Sequence, residues 1–178
     1  MTRAAACATI PAMADGVVRD LRLIAFRVGS ETFVLDIMSV RQIIPYSGST
    51  PVPTAPKFVE GIIVLRSEVI PIVDLRDRLY PHGVQKSDQP LVLITTTSAG
   101  TIGVKVDEVR RIITVPSDAL LAPPPLTRGI RGELLVAVIP QAEEIFLLID
   151  IENVLTTEEK QELCEAELDE AAQLAASE

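Results

Sequence analysis

Residues 61–79 read Gly-Ile-Ile-Val-Leu-Arg-Ser-Glu-Val-Ile-Pro-Ile-Val-Asp-Leu-Arg-Asp-Arg-Leu. Two apolar runs, Ile62–Leu65 and Val69–Val73, flank a polar tip at Arg66-Ser67-Glu68. β-branched residues on both arms and a short polar tip predict a hairpin. Both arms are nearly continuous in apolar residues, which predicts strands covered on both faces. Pro71 cannot donate to a ladder, so the second arm is expected at an edge or beside a bulge. Asp74 can cap a short helix over Leu75–Leu79. Arg66 at the tip reads either as a solvated turn residue or as a forked donor presented to a partner.

Outward from this hairpin the same grammar repeats. Leu21–Val28 is a strand, Gly29-Ser30-Glu31 a turn, and Phe33, Leu35 and Ile37 alternate into a second strand. Asp36 is expected to cap a short helix carrying Ile37, Val40, Ile43 and Ile44, ended by Pro45. Tyr46–Lys57, with Pro51, Pro53 and Pro56, is an extended loop. After a polar connection at Pro81–Pro90 come strands at Leu91–Thr97, Thr101–Val106 and Val109–Val115. A loop with prolines at 123–125 leads to strands at Glu133–Ile139 and Ile145–Ile149. Thr156-x-x-Glu159 is a capping box for an acidic, Ala-rich C-terminal helix.

The two halves resemble each other. Phe33–Ile44 matches Ile102–Ile113 in pattern, and Val69–Leu75 matches Ile145–Ile151, in the same order. Two similar β-rich halves predict two small barrels or sheets side by side in an all-β chain.

Composition narrows function. The chain has 178 residues, 48% of them apolar, enough for a real core. No apolar run reaches membrane-spanning length, so a soluble protein without membrane insertion is expected. A net charge of −9 and the absence of Trp argue against nucleic-acid binding. Met1–Ala14 lacks a long apolar stretch and reads as a loose tail. Cys7 and Cys164 read as free thiols. His82 is the one histidine, with no Cys beside it, so neither metal nor cofactor is expected. No phosphate loop or nucleophile elbow is present. Asp36, Asp74 and Asp150 each precede a short helical pattern, and capping explains all three without chemistry. The alternative is a small-ligand-binding β-barrel, or a minor enzyme using Asp74 and Arg76.

One motif carries a family likeness. Gly61-x-x-x-Leu65-Arg66-x-x-x-Ile70-Pro71-x-Val73-Asp74-Leu75-Arg76 resembles the core motif of the CheW-like family of bacterial chemotaxis coupling proteins. The likeness extends over about residues 19–165. It takes in Val40-x-x-Ile43, the Pro-x-x-Pro-x-Phe-Val-x-Gly run at 53–61, Gly103-x-x-Val106-Asp107-x-Val109 and the closing Leu-Ile-Asp-Ile.

The resemblance implies two five-stranded SH3-like β-barrels packed side by side, with short connecting helices and a C-terminal helix. It divides the chain into a tail at 1–18, the two-lobed domain at 19–155 and an acidic helix or tail at 156–178. It implies a non-enzymatic, cytoplasmic adaptor at membrane-associated receptor arrays. The partners implied are the chemoreceptor cytoplasmic tip and the regulatory domain of a CheA-type histidine kinase. One barrel would contact the kinase, and the groove between barrels would take the receptor helix. The partner-binding residues implied are Ile37, Val40, Gln42, Ile43, Gly61, Val64, Arg66, Ser67, Leu91 and Val109. The chain departs from the family pattern at Val64, usually Asn, Ser67, usually Gly, Gln42, usually Glu, and Tyr80, usually Gly.

Overall fold

The computed structural model describes residues 17–53, 55, 57–80, 83, 85–124 and 134–165. The expectations for Met1–Ala14, Cys7, His82, Pro125, Glu133 and the C-terminal segment beyond 165 lie outside these residues. Among the described residues there are ten strands: β1 Asp20–Val28, β2 Glu31–Asp36, β3 Val40–Pro45, β4 Val59–Leu65, β5 Glu68–Asp74, β6 Leu91–Thr97, β7 Gly100–Val106, β8 Glu108–Pro116, β9 Leu135–Pro140 and β10 Ile145–Ile149. A short helix, α1, spans Leu75–Leu79. A second helix, α2, covers 157–165.

The strands form two five-stranded sheets, ordered β8-β1-β2-β10-β9 and β3-β6-β7-β5-β4. Placing β1–β5 over β6–β10 turns one order into the other, so the repeat seen in the sequence is a true structural repeat. The halves nevertheless do not form one sheet each. After β2 the chain crosses to the other sheet as β3, and after β7 it crosses back as β8. Each sheet therefore holds a hairpin from one half and three strands from the other. The two side-by-side barrels expected from the sequence are present, and each draws strands from both halves.

Three apolar clusters follow. Leu23, Val34, Ile139, Phe146 and Leu148 fill the first sheet's own core. Ile70, Ile72, Val92 and Ile94 fill the second's. The largest cluster lies between them, where Phe26, Phe33 and Leu35 of the first sheet meet Leu93, Val104 and Val106 of the second. Leu75 and Leu79 of α1 and Leu163 of α2 complete this seam, so α2 is docked as part of the core.

The three aspartates cap as the sequence predicts. Asp36 accepts from the amide of Met38 at 2.9 Å, Asp74 from Arg76 at 2.9 Å and Asp150 from Glu152 at 3.0 Å. The capping box of α2 is present: Thr156 N donates to Glu159 at 2.8 Å, and Glu159 N to Thr156 Oγ1 at 3.2 Å.

Three local expectations change. The helix expected from Ile37 is a single 3-10 turn, Ile37–Ser39, after which Val40–Pro45 is strand β3. β-branched Val40, Ile43 and Ile44 suit a pleated surface, and β6 supplies a ladder for them. The polar tip has two residues, not three, because Glu68 pairs with Leu65. The third concerns Pro71: of the edge or bulge expected, the edge is absent, since β5 lies between β4 and β7, while the register does shift beside it, between Val59 and Gly61 opposite Val73 and Ile72. Both the amide and the carbonyl of Ile62 bond to Thr50, on the side away from β5. Ile62 and Pro71 therefore face each other as a non-hydrogen-bonded pair, and the imide nitrogen points toward β7. Pairing with β7 begins only at Ile72, so the missing donor costs nothing there.

Candidate functional site

The β4–β5 tip is the first candidate surface. Only Arg66 and Ser67 lie between the paired strands, and both have positive φ, 51° and 69°. That is the geometry of a two-residue type I′ turn, built here without glycine. Both residues are exposed, and Val64 beside them is 69% exposed. None of the ion pairs among the described residues involves Arg66. Gly61 is not part of this surface. It is buried, and a Cβ there would lie 2.5 Å from Ser49 Oγ and 2.7 Å from the Thr50 carbonyl oxygen. Its role is to admit the 49–50 segment, whose isolated bridge from Thr50 to Ile62 covers the outer edge of β4.

The other candidates divide by element. Ile37 lies half-buried in the first crossover, Gln42 is half-buried on β3, and Ile43 is 40% exposed. Val40, Leu91 and Val109 pack half-buried against the central cluster, at the margins of the seam. The tip and β3 are joined. Arg41, between Val40 and Gln42, donates to both Glu68 oxygens at 3.1 and 3.2 Å and to Thr101 Oγ1 at 2.9 Å. The repeat reproduces this clasp. Arg110 aligns with Arg41, and it donates to Glu144 at 2.9 Å and Thr32 Oγ1 at 3.3 Å.

Sequence reasoning missed a chain of charges that runs from exposed Glu60 inward to buried Lys105, Asp74, Arg76 and Asp107. Tyr46 donates to Glu60 at 2.6 Å, and Lys105 Nζ lies 2.7 Å from Glu60 and 3.1 Å from Asp74. Arg76 donates to Asp74 through Nε and Nη2 at 3.2 and 2.9 Å. Burial pushes the Asp74 carboxyl up, but the bonds from Arg76 and Lys105 outweigh it and hold the group below its usual range. Arg76 Nη1 lies 3.4 Å from Asp107 Oδ1, and Asp107 Oδ2 accepts from the Gly29 amide at 2.6 Å. The signal was present at Lys105, a cation inside the apolar run 102–106. Asp74 and Arg76 are paired with each other at 8% and 5% exposure, inside the fold rather than at a surface a substrate could reach. Among the described residues no group of three His, Cys, Asp or Glu side chains is arranged to hold a metal.

The CheW-like domain model matches residues 22–159, most of the chain and both sheets. The chain belongs to the CheW-like family. Similar proteins include the chemotaxis protein CheW of Treponema pallidum (strain Nichols), 32% identical over 146 residues, covering 80% of this chain and 86% of that protein. Another is the CheW of Klebsiella aerogenes, 28% identical over 155 residues, with 87% and 93% covered. The crystal structure of the scaffolding protein TtCheW from Thermoanaerobacter tengcongensis matches with a TM-score of 0.71 and 25% identity, over 79% of this chain and 96% of that one. The two sheets are thus the two SH3-like barrels of a CheW-like protein, with the C-terminal helix docked between them. A CheW-like chain is a chemotaxis scaffold and not an enzyme. Among the described residues no helix is long and apolar enough to cross a membrane.

Tyr80 is a further contact between the barrels. Its hydroxyl reaches the Glu31 carboxylate and the Val28 carbonyl oxygen, the latter at 3.2 Å. Burial and the Glu31 charge push the phenol up, so it stays neutral and donates. This contact joins the end of α1 to the β1–β2 turn of the other barrel.

Proposed function

We propose that this CheW-like scaffold couples the cytoplasmic tip of chemoreceptors to the regulatory domain of a CheA-type histidine kinase, at arrays on the cytoplasmic face of the membrane. Its unit of action is the two-lobed domain over about 19–155, followed by the acidic segment at 156–178. One barrel meets the kinase, and the margins of the seam, with Val40, Leu91 and Val109, take the receptor helix. Ile37, Gln42 and Ile43 extend the contact along β3. An amphipathic helix lies in such a groove by its spaced apolar anchors.

The observation that carries this reading is the β4–β5 tip. Arg66 is exposed, outside every ion pair among the described residues, and held in a left-handed turn beside exposed Val64. An exposed Arg adds little to folding, since surface ion pairs are worth about 0–1 kcal/mol. At a partner interface its truncation costs roughly 2 kcal/mol or more. Arg66→Ala is therefore expected to leave Tm nearly unchanged while weakening binding to the receptor tip, the kinase regulatory domain or both by at least about tenfold. Titration calorimetry against each partner checks it, and affinities within twofold of wild type would remove Arg66 from the site.

A further inference from the structure

The central cluster that joins the barrels is apolar, and apolar burial is non-directional. It holds two surfaces together without fixing how one is turned against the other. Directional bonds across the seam supply that information: one set joins Ser98 of the β6–β7 turn to Glu152 after β10 at 2.7–2.8 Å, and a second, more buried set lies at the β1–β2 turn. Asp107 occupies the one-residue crossover between β7 of one barrel and β8 of the other. Its side chain is 5% exposed. It accepts from the Gly29 amide at 2.6 Å, its own amide donates to the Arg27 carbonyl oxygen at 3.0 Å, and Arg76 of α1 lies 3.4 Å from its other oxygen. Tyr80, at the end of α1, grips the same β1–β2 turn through Val28 and Glu31. The repeat puts Met38 at the matching place in the first crossover, where it is 86% exposed. Of the two crossovers, only the second carries a buried ionic anchor among the described residues.

We propose that Asp107 and Tyr80 are positioning residues: they pin the β1–β2 turn of one barrel onto α1 and the crossover of the other, and so set the geometry of the receptor-binding seam. This rests on the reading that a receptor helix occupies that seam. Neither residue touches the partner in this role. They act through the turn that they hold. Polar bonds inside a packed interface select one register among several of similar apolar burial.

The full chain carrying Asp107→Asn, Tyr80→Phe or both tests this. Each variant is expected to unfold in one cooperative transition. In the double variant the Gly29 amide should exchange with solvent at least tenfold faster, while amides of Leu93 and Val104 keep their wild-type rates. Residual dipolar couplings from the two barrels, which fit one alignment tensor in wild type, should need two. Affinity for a receptor-tip helical fragment should fall at least fivefold, with affinity for the kinase regulatory domain, which meets one barrel, within twofold. Unchanged Gly29 exchange and a single tensor would overturn the pinning. Faster exchange with unchanged receptor affinity would overturn its link to the seam. Equal loss of both affinities, tracking lower stability, would show a merely structural role. If Asp107→Asn does not fold, Tyr80→Phe, which removes one hydroxyl, carries the same measurements. If wild type binds neither partner, the proposed function fails, and exchange and alignment still decide the pinning.

Discussion

Single residues show where this chain stores and releases conformational energy. Arg66 and Ser67 both adopt the left-handed region, which costs a non-glycine residue about 1–2 kcal/mol. The hairpin demands it, because a type I′ turn matches the twist of its strands. Ser67→Gly removes the penalty at one position and regains only part of it, since glycine has more freedom to lose. The expected outcome is a gain of about 0.5–1 kcal/mol, seen as a Tm higher by roughly 1–4 °C. No gain would show that the turn relaxes without glycine. Asp74 gives a prediction of acid behaviour. Its folded carboxyl is held below the ordinary value of 3.8. A depressed carboxyl contributes stability that is present above the unfolded value, about 3.9, and is lost as pH falls through the folded one. Unfolding free energy should therefore drop below about pH 4. In Asp74→Asn that acid-side slope should be smaller, as measured by urea unfolding at pH 7 and pH 3. Asp150 works in the opposite sense: burial raises its carboxyl, so its protonation at low pH relieves a cost.

Elements were legible in proportion to how far their own residues decide them. The hairpins could be read because alternation and turn chemistry are local, and the caps because an aspartate and the amide two residues on are close in any such turn. The segment Ile37–Ile44 could not, because its spacing fits both a helix and a strand, and the tie is broken by β6, about fifty residues away. The candidate site was half legible. Val64, Arg66 and Ser67 do share an exposed tip, but Gly61 has a packing role that spacing could not reveal. It lets Thr50 bridge Ile62 along the free edge of β4, as Leu121 bridges Val138 along β9. Covering an edge in this way removes a template for unwanted pairing. Gly61→Ala forces a Cβ against the Thr50 carbonyl, so the 49–50 segment must lift. Stability should fall by about 1–3 kcal/mol, in the range of overpacking. The Thr50 and Ile62 amides should lose exchange protection, while those of β9 keep theirs. Uniform loss across both barrels would instead point to a global effect.

At the scale of the molecule, the exchange of strands between barrels is the feature no local pattern could show. Repeats in sequence reveal which pieces are alike, not which pieces pair. Within residues 17–80, β1 keeps β2 and β4 keeps β5, but β3 loses its ladder with β6. Within 85–165, β6 keeps β7 and β9 keeps β10, but β8 loses β1. The parallel ladders β5–β7 and β2–β10 also join opposite halves. Each half alone is thus left with two hairpins and an unpaired strand, and an isolated hairpin is marginal at best in water. The central cluster is divided as well, since Phe26, Phe33, Leu75 and Leu79 come from the first half and Leu93, Val104, Ile149 and Leu163 from the second. Side-by-side barrels, one from each half, would fold independently. The exchanged topology predicts that fragments cut in the 81–90 connection are each unfolded by circular dichroism and amide exchange, yet regain strand signal and a single cooperative melt when mixed. The intact chain should likewise unfold in one transition, with barrel-specific probes reporting the same midpoint. A stably folded half-chain would show that the strand exchange is not what holds the two barrels together.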